Sequence, residues 1–400
     1  MYAHFKHIFV LYFQANVFDG HVEFNRFGKA PMRLLLLNQF GSDSGAPTGR
    51  ILGELGTELE KRGHTVQLLV TDSGYGKPRK GIRRLMEEGL SHLRLLGRGL
   101  CCPRADAIIS LTSPACLAVT AGVVARIHRA KHFHWAMDLY PDVGVSLGEL
   151  KQGLPVRIFS FLVGRAYQGA HQVVTLDEDM REYVQAHYKV DSAVIEPFPP
   201  EIAWPAPEKN LTEIRRWLYS GNFGRAHEIQ ILLQIQKRLE DKKVPAELIL
   251  QGQGPQFLAS RDAARNLGLR SVQWREPVSL ERLGESLLQS DVLVVTRKAE
   301  LKGLLLPSKL MLAELSGRAV LWIGDTDGKT AQRLSRERRH GVFTIADVEP
   351  IASWLQARFE WNSSESETKP KATAVVRQKA ADQWQALLIK SQDRVSSRGT

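Results

Sequence analysis

The sequence predicts an α/β protein with two domains in series, each built on a doubly wound parallel sheet, and a cleft between them. Short apolar runs of strand length alternate with helical patterns along the chain, which is typical of parallel α/β architecture. A proline-rich segment interrupts this alternation, and the same pattern restarts after it. The length of 400 residues agrees with two or three domains.

The first domain is predicted at residues 32–200, and its first strand is the apolar run at 34–37. Apolar residues at helical spacing follow at 50–62. Gly63 marks the end of that helix, because glycine is common just past a helix C-terminus. The other strands are predicted at 64–71, 106–111, 132–137 and 172–175, and the other helices at 117–129 and 179–187. Residues 1–31 form an N-terminal extension, with Met32 as a candidate start of the protein.

Five prolines between Pro197 and Pro207 indicate a connection between domains. Proline donates no hydrogen bond to a sheet and disfavours helix at the preceding residue. The second domain is predicted at 201–361, with strands at 216–220, 247–251, 272–275, 291–296 and 319–323 and helices at 229–239 and 309–316. Residues 362–400 are predicted to be a polar link followed by a helix near 375–390.

The composition narrows the class of protein. A net charge of +11 predicts attraction to polyanions such as nucleotides, anionic lipid head groups or nucleic acid. The chain has no apolar run of about 18 residues, so no membrane-spanning helix is predicted. Cys101 and Cys102 are adjacent and no CxxC pair is present. This excludes a disulfide framework and a zinc knuckle and favours a reducing cytoplasm.

The most informative motif is YSGNFGRAHE at 219–228, taken together with Lys309. Gly221 and Gly224 carry no Cβ that would keep a phosphate at a distance. The motif is predicted to be a short strand that ends in glycines and opens through a turn into a helix, whose first backbone N–H groups bind anions. Arg225 and Lys309 can bring cationic side chains to the same anion. The motif therefore predicts a diphosphate site; an ordinary strand-to-helix turn with solvated charges is the alternative.

Two loops of the first domain are candidates for ligand contacts. The glycine-rich loop at 41–50, which includes Gly45, follows the first strand, where open α/β sheets bind ligands. It is not GxGxxG, which argues against dinucleotide binding. Asp138 follows the strand at 132–137 and could orient or deprotonate a hydroxyl group. The alternative is that this carboxylate caps a turn before Pro141.

Two further patterns could suggest a metal ion. Asp177 and Asp179 have the Asp-x-Asp spacing of metal-dependent sugar transfer, but they precede a helical run, where acidic residues complement the helix dipole. The helix-capping interpretation is favoured. His132 and His134 would face one side of a strand, but no third ligand is evident. No metal site is predicted.

The segment at 77–104 is strongly basic, with eight Lys and Arg residues against Glu87 and Glu88. Its apolar residues fall on one helical face, as in helices that lie on a membrane surface. An ordinary surface helix with its apolar face on the core is the alternative, since Gly89 weakens the helix. The membrane interpretation predicts peripheral contact with an anionic bilayer.

Taken together, the motifs and their order resemble GT-B glycosyltransferases of the family-4 type, especially bacterial exopolysaccharide and O-antigen enzymes. The resemblance covers roughly Met32 to Phe359 and implies two Rossmann-like domains that face a cleft. The segments that carry it are 62–66 (RGHTV), 106–110 (DAIIS), 138–142 (DLYPD), 219–228, 251–254 (QGQG), 290–295, 306–310 (LPSKL) and 317–325.

The resemblance also implies a set of site residues. Those on the donor side are Gly221, Asn222, Gly224, Arg225, Gly252, Gly254, Ser308, Lys309 and Glu314, with the nucleotide base near Gly252 and Gly254. Gly45 and Asp138 would lie on the acceptor side, and Asp138, Arg225 and Lys309 are the predicted catalytic residues. Many relatives carry two glutamates where this chain has Leu304 and Leu312. Glu314 is the nearest carboxylate, displaced by two positions.

The predicted activity is transfer of a sugar, without metal or cofactor, from a nucleotide-sugar to a glycan or lipid-linked acceptor. The donor is expected to be a UDP-sugar, the anomeric configuration to be retained, and the pathway to be cell-surface polysaccharide synthesis. The expected location is the cytoplasm, with peripheral contact at the inner face of the membrane. A nucleotide-sugar 2-epimerase of the same fold is one alternative. A basic polyanion-binding protein is another, although no basic groove interleaved with aromatic residues favours nucleic acid.

Overall fold

The computed structural model describes residues 30–71, 81–205, 215–360 and 369–396, with side chains described except at 81–85 and 393–396. The extension predicted at 1–31 lies outside these ranges up to residue 29. In the first half, the strands are β1 Arg33–Leu37, β2 Thr65–Leu69, β3 Ala107–Ser110, β4 Lys131–Trp135, β5 Gln172–Thr175 and β6 Ser192–Val194. The helices are α1 Pro47–Glu60, α2 Gly81–Cys101, α3 Leu117–His128, α4 Asp142–Ser146, α5 Leu154–Gly169 and α6 Glu178–Tyr188.

The second half repeats this alternation. Its strands are β7 Arg215–Asn222, β8 Ala246–Gln253, β9 Val272–Arg275, β10 Val292–Thr296, β11 Ala319–Ile323 and β12 Gly341–Phe343. Its helices are α7 Gln230–Asp241, α8 Phe257–Asn266, α9 Leu280–Leu288, α10 Lys309–Leu315, α11 Lys329–Ser335 and α12 Val348–Glu360, and α13 Thr373–Ser396 follows.

Over the described ranges these strands form two six-stranded sheets, ordered β2-β1-β3-β4-β5-β6 and β12-β11-β10-β7-β8-β9. Neighbouring strands pair in parallel throughout. The central strands are apolar along their length because helices cover both faces of such a sheet, and β10 and β11 are buried at every residue. The predicted fold class is confirmed.

Each sheet has one point at which the strand order reverses. The reversal falls between β1 and β3 in the first sheet and between β7 and β10 in the second. At such a point the connections leave in opposite directions and open a crevice at the carboxyl ends of the strands, where open α/β sheets bind ligands. In the second sheet, a ligand is therefore expected to bind at the carboxyl ends of β7 and β10.

The C-terminal helix α13 packs on the first sheet. Trp384 is fully buried, with its ring 5.2 Å from that of Trp135. Gln385 Oε1 lies 2.9 Å from His64 Nε2, and Asp382 accepts a hydrogen bond from Arg62 at 2.8 Å. The last described helix thus completes the core of the first half of the chain.

The Asp-x-Asp pattern consists of helix caps, as the capping interpretation predicts. Asp177 Oδ1 accepts from the backbone N–H of Met180 at 2.8 Å, in the first turn of α6. Asp179 accepts from the N–H groups of Lys329 at 2.7 Å and Thr330 at 3.3 Å, at the start of α11. One carboxylate therefore caps its own helix, and the other caps a helix of the second half across the interface.

Two histidines on β4 are buried in the first core. Ser110 Oγ lies 2.9 Å from His132 Nε2 and 2.9 Å from His134 Nδ1. Burial lowers the pKa of His132 to about 4 and holds the pKa of His134 well below its usual range. Both rings are therefore neutral at pH 7 and belong to the core. No group of three or more His, Cys, Asp or Glu in the described part of the chain could hold a metal ion.

These histidines should make the fold sensitive to acid. Between pH 6.5 and about 4 the unfolded chain binds a proton at His132 that the folded chain does not bind. The free energy of unfolding therefore falls as the pH falls through this window, by up to about 1.4 kcal/mol per pH unit for each histidine. Urea unfolding of wild type and His132→Gln, at several pH values from 7.5 to 4.5, measures this slope. The slope should be smaller in His132→Gln than in wild type; equal slopes in the two proteins would refute the assignment.

Candidate active site

Lys309 and the glycine-containing end of β7 meet at the reversal point of the second sheet. Gly221 has φ = 141°, a backbone conformation that favours glycine. A Cβ at this position would lie 3.0 Å from Lys309 Cε. Lys309 is the first residue of α10, and its side chain lies directly on the Gly221 backbone. The two parts of the predicted diphosphate site are therefore adjacent.

The ammonium group of Lys309 is held by two side chains of the same motif. Nζ donates to Tyr219 Oη at 2.7 Å and to His227 Nε2 at 2.9 Å, and it lies 4.2 Å from the centre of the Tyr219 ring. Tyr219 Oη in turn donates to the carbonyl of Asn222 at 2.7 Å. Within the described residues no carboxylate forms an ion pair with Lys309, and desolvation lowers its pKa to about 7. A buried cation without a counter-ion is suited to an anionic ligand.

His227 links Lys309 to the end of β10. Its Nδ1 lies 2.6 Å from the carbonyl oxygen of Thr296, so Nδ1 carries the proton and Nε2 is free to accept from Lys309. Desolvation and the nearby Lys309 lower the pKa of His227 to about 3. The ring is therefore neutral at pH 7. His227 and Tyr219 both belong to the main sequence motif, but no pattern in the sequence indicates a role for either.

The strand of this motif is longer than predicted, and its helix begins within one residue of the predicted position. Helix α7 begins at Gln230, eight positions after the end of β7 at Asn222. Strand β7 stays paired with β8 as far as Asn222, so the backbone groups of Gly221 and Asn222 belong to a sheet and not to a helix N-terminus. A turn follows in which His227 N–H donates to the Gly224 carbonyl at 3.1 Å. Arg225 lies exposed in this turn.

Gly252 and Gly254 support the same strand end. Both have a positive φ, of 140° and 143°. A Cβ on Gly252 would lie 1.9 Å from the carbonyl oxygen of Gly221, and a Cβ on Gly254 would lie 2.4 Å from Asn222 Oδ1. These positions require glycine because β7 and β8 approach each other closely there. Both glycines thus shape the backbone that carries Gly221.

The remaining donor-side residues lie on or beside α10. Ser308 is exposed just before the helix. Glu314 is paired with Arg333 of α11, so its carboxylate is already engaged by a cation. Leu304, at a position where relatives have glutamate, is buried in the hydrophobic core of the first domain. A carboxylate at that position would be desolvated, which accounts physically for the apolar residue.

The acceptor-side residues lie on loops of the first sheet. Asp138 forms an antiparallel bridge with Leu305, and burial raises the pKa of its carboxyl to about 6. This carboxylate therefore lies where the two halves of the chain meet. Gly45 has a left-handed backbone, with φ = 77°, and a Cβ on it would meet no atom within 4 Å. The crowded glycine of that loop is Gly49, whose Cβ would lie 2.1 Å from the Gly41 carbonyl oxygen.

Comparison with known proteins agrees with this architecture. Residues 48–201 match the family described as glycosyl transferase 4-like domain. The lipopolysaccharide outer core galactosyltransferase WaaB, in its apo form, is 13% identical, with 90% of this chain and 100% of that chain covered and a TM-score of 0.60. HepE from Anabaena, solved with UDP and glucose, is 14% identical, with coverage of 90% and 100% and a TM-score of 0.61. No curated protein sequence is a significant match.

A third solved structure has the same fold. Sucrose-phosphate synthase from Thermosynechococcus elongatus is 14% identical, with 91% of this chain and 98% of that chain covered and a TM-score of 0.63. At such identities the structures show the fold, and the family match concerns residues 48–201. The resemblance seen in the sequence is confirmed: the chain has the fold of GT-B glycosyltransferases, and its residues 48–201 match a glycosyl transferase 4-like domain.

Proposed function

We propose that the protein transfers a sugar from a UDP-sugar to a glycan or lipid-linked acceptor in cell-surface polysaccharide synthesis. The observation that carries this proposal is Lys309, a largely buried cation without an ion-pair partner among the described residues, next to Gly221 at the strand reversal. The structural neighbour HepE was solved with UDP and glucose, which supports uridine diphosphate as the carrier. The pathway rests on the family resemblance.

The proposed chemistry needs stabilisation of negative charge on the leaving diphosphate. Lys309 supplies a fixed ammonium group, and Arg225 on the exposed turn adds a second cation once the donor is bound. Preorganised charges in a site that excludes water stabilise such a leaving group without a metal ion. Asp138 belongs to the facing half of the cleft, where a carboxylate with a raised pKa can orient an acceptor hydroxyl group. Retention of anomeric configuration is proposed from the family resemblance alone.

A panel of nucleotide-sugars tests the proposal. Purified protein is incubated with UDP-, GDP-, ADP- and TDP-sugars and an acceptor lipid extract, with and without EDTA. We expect release of UDP from one UDP-sugar at an equal rate in EDTA, with the sugar recovered on the acceptor. Recovery of the 2-epimer of the donor would favour the epimerase, and release of no nucleotide from any donor would contradict the proposed activity.

We further propose peripheral contact with an anionic membrane at the cytoplasmic face. No helix in the described ranges is long and apolar enough to cross a bilayer. Helix α5 nevertheless exposes large apolar side chains, including 66% of Phe161 and 51% of Phe159. Helix α2, which continues through Gly89, exposes 67% of Leu93. Both helices contact α3, which supports a common membrane-facing surface formed by these apolar side chains and the basic residues of α2.

Vesicle binding tests this surface. The described part of the basic segment includes Arg94, Arg98 and Arg104, whereas Lys77, Arg79 and Lys80 lie outside the described residues. Each basic residue near an anionic surface contributes up to about 1 kcal/mol. The protein should therefore co-sediment with phosphatidylglycerol vesicles at low salt and detach at high salt.

A matched pair of substitutions locates the contact. Phe161→Glu should weaken vesicle binding by at least about tenfold, because it places a carboxylate within the apolar face that meets the bilayer. Leu258→Glu, at an apolar side chain that is 71% exposed on α8 of the second domain, should leave binding unchanged. Equal binding by both variants and wild type would exclude α5 from the contact.

A further inference from the structure

The side chain of Lys309 has more donors than the described contacts use. A protonated lysine carries three N–H donors. Two of them are directed at Tyr219 Oη and His227 Nε2. These acceptors lie on β7 and on the turn that follows it, so they fix the direction of the third N–H. A lysine has a flexible stem, and its ammonium group does not hold one orientation without such partners.

The His227 imidazole is a rigid spacer between two fixed points. At one end Nδ1–H donates to the Thr296 carbonyl, and at the other Nε2 accepts from Lys309. The turn is fixed to the same residue a second time, because the Glu228 N–H donates to Thr296 Oγ1 at 3.2 Å. The end of β10 thus sets the position of the ring, and the ring sets the position of the ammonium group.

The ring must remain neutral for this role. A second cation at His227 would repel Lys309 and would leave Nε2 without a lone pair to accept a hydrogen bond. The Thr296 carbonyl selects the tautomer in which Nε2 is the acceptor. The arrangement places an acceptor behind the ammonium group, on the side away from any bound anion.

We propose that His227 is a positioning residue that holds Lys309 toward the diphosphate of the sugar nucleotide, with Tyr219 as its second support. This inference rests on the proposed function, which places the diphosphate at Lys309. The His227 side chain forms a hydrogen bond to no part of the predicted diphosphate site other than Lys309 among the contacts described above. The bond from the His227 N–H to the Gly224 carbonyl is made by the backbone, which a side-chain substitution keeps. A substitution at His227 should therefore alter donor binding by changing the position of the Lys309 ammonium group.

Two conservative substitutions separate this role from simple anchoring of the turn. His227→Gln keeps an acceptor oxygen at the reach of Nε2 and can still bind Lys309. His227→Asn keeps an N–H near the position of Nδ1 and can still bind the Thr296 carbonyl, but it leaves Lys309 without its acceptor. Calorimetric Kd values for UDP should rise by about tenfold or more in His227→Asn and by much less in His227→Gln. Rescue by Asn and not by Gln would overturn the proposal in favour of a structural anchor.

A double-mutant cycle with Lys309→Met provides the second readout. If His227 acts through Lys309, the double variant His227→Asn/Lys309→Met should bind UDP no more weakly than Lys309→Met alone. Additive losses would show that His227 acts elsewhere and would overturn the inference while leaving the proposed function intact. Normal UDP binding by Lys309→Met would instead overturn the proposed diphosphate site and this inference together. Melting temperatures within a few degrees of wild type establish that each variant is folded before its Kd is interpreted.

Discussion

Lys309→Met is expected to lower kcat/KM by about 10²–10³, the typical cost of removing one preorganised charge donor from a developing anion. Methionine preserves the apolar stem of the side chain and removes only the ammonium group. Steady-state transfer with the preferred UDP-sugar measures the effect. The exposed residue Lys379 on α13 provides the matched control, and Lys379→Met should transfer at the wild-type rate.

The same substitution should not destabilise the fold. The folded-state pKa of Lys309, about 7, lies below the usual value for lysine, so burial of the charge opposes folding at and below pH 7. Removing the charge removes this penalty, and the Tm of Lys309→Met should equal or exceed that of wild type at pH 7.

Arg225→Ala, at an exposed position, should lower kcat/KM by about tenfold with no change in Tm. Near-normal transfer by both variants would mean that the phosphates bind elsewhere.

Gly252→Ala is expected to destabilise the second domain by about 2–4 kcal/mol. The new Cβ would lie 1.9 Å from the Gly221 carbonyl oxygen on a backbone with φ = 140°, so overpacking adds to backbone strain. Donor binding should also weaken, because the displaced strand end carries Gly221. Urea unfolding and UDP titration measure the two effects.

A second glycine substitution controls for the loss of glycine itself. A Cβ at Gly89 on α2 would meet no atom within 4 Å. Gly89→Ala should therefore stabilise the protein by up to about 1 kcal/mol, the usual gain in a helix interior. Wild-type stability in Gly252→Ala would contradict the close approach of β7 and β8.

The fold is well predicted by the sequence because its central strands are buried on both faces. The apolar runs at 34–37 and 319–323 are predicted to be strands in the interior of a sheet, and the structure has buried strands there. The alternation of such strands with helical patterns then fixes the parallel class. The docking of α13 on the first sheet was not predictable, because it depends on contacts between residues more than 300 positions apart, such as His64 with Gln385.

The candidate site is predicted in part. Gly221 and Lys309 can be recognised in the sequence. A glycine at a strand end has no Cβ to keep a phosphate at a distance, and a lysine at a helix start can bring a cation to the same anion. The role of His227 depends on Thr296, 69 positions later, so no local pattern reveals it. The predicted strand at 216–220 is too short for a local reason. Its apolar pattern stops before the glycines and does not show that β7 stays paired with β8 as far as Asn222.

The central claim is that the diphosphate of the donor binds at Lys309. Calorimetric titration with UDP at pH 8, in two buffers of different ionisation enthalpy, tests it most directly. Because the pKa of Lys309 in the empty site is about 7, wild type should take up about one proton for each UDP bound. Lys309→Met should bind at least about tenfold more weakly and take up no such proton; equal affinity and equal proton uptake in the two proteins would contradict the account.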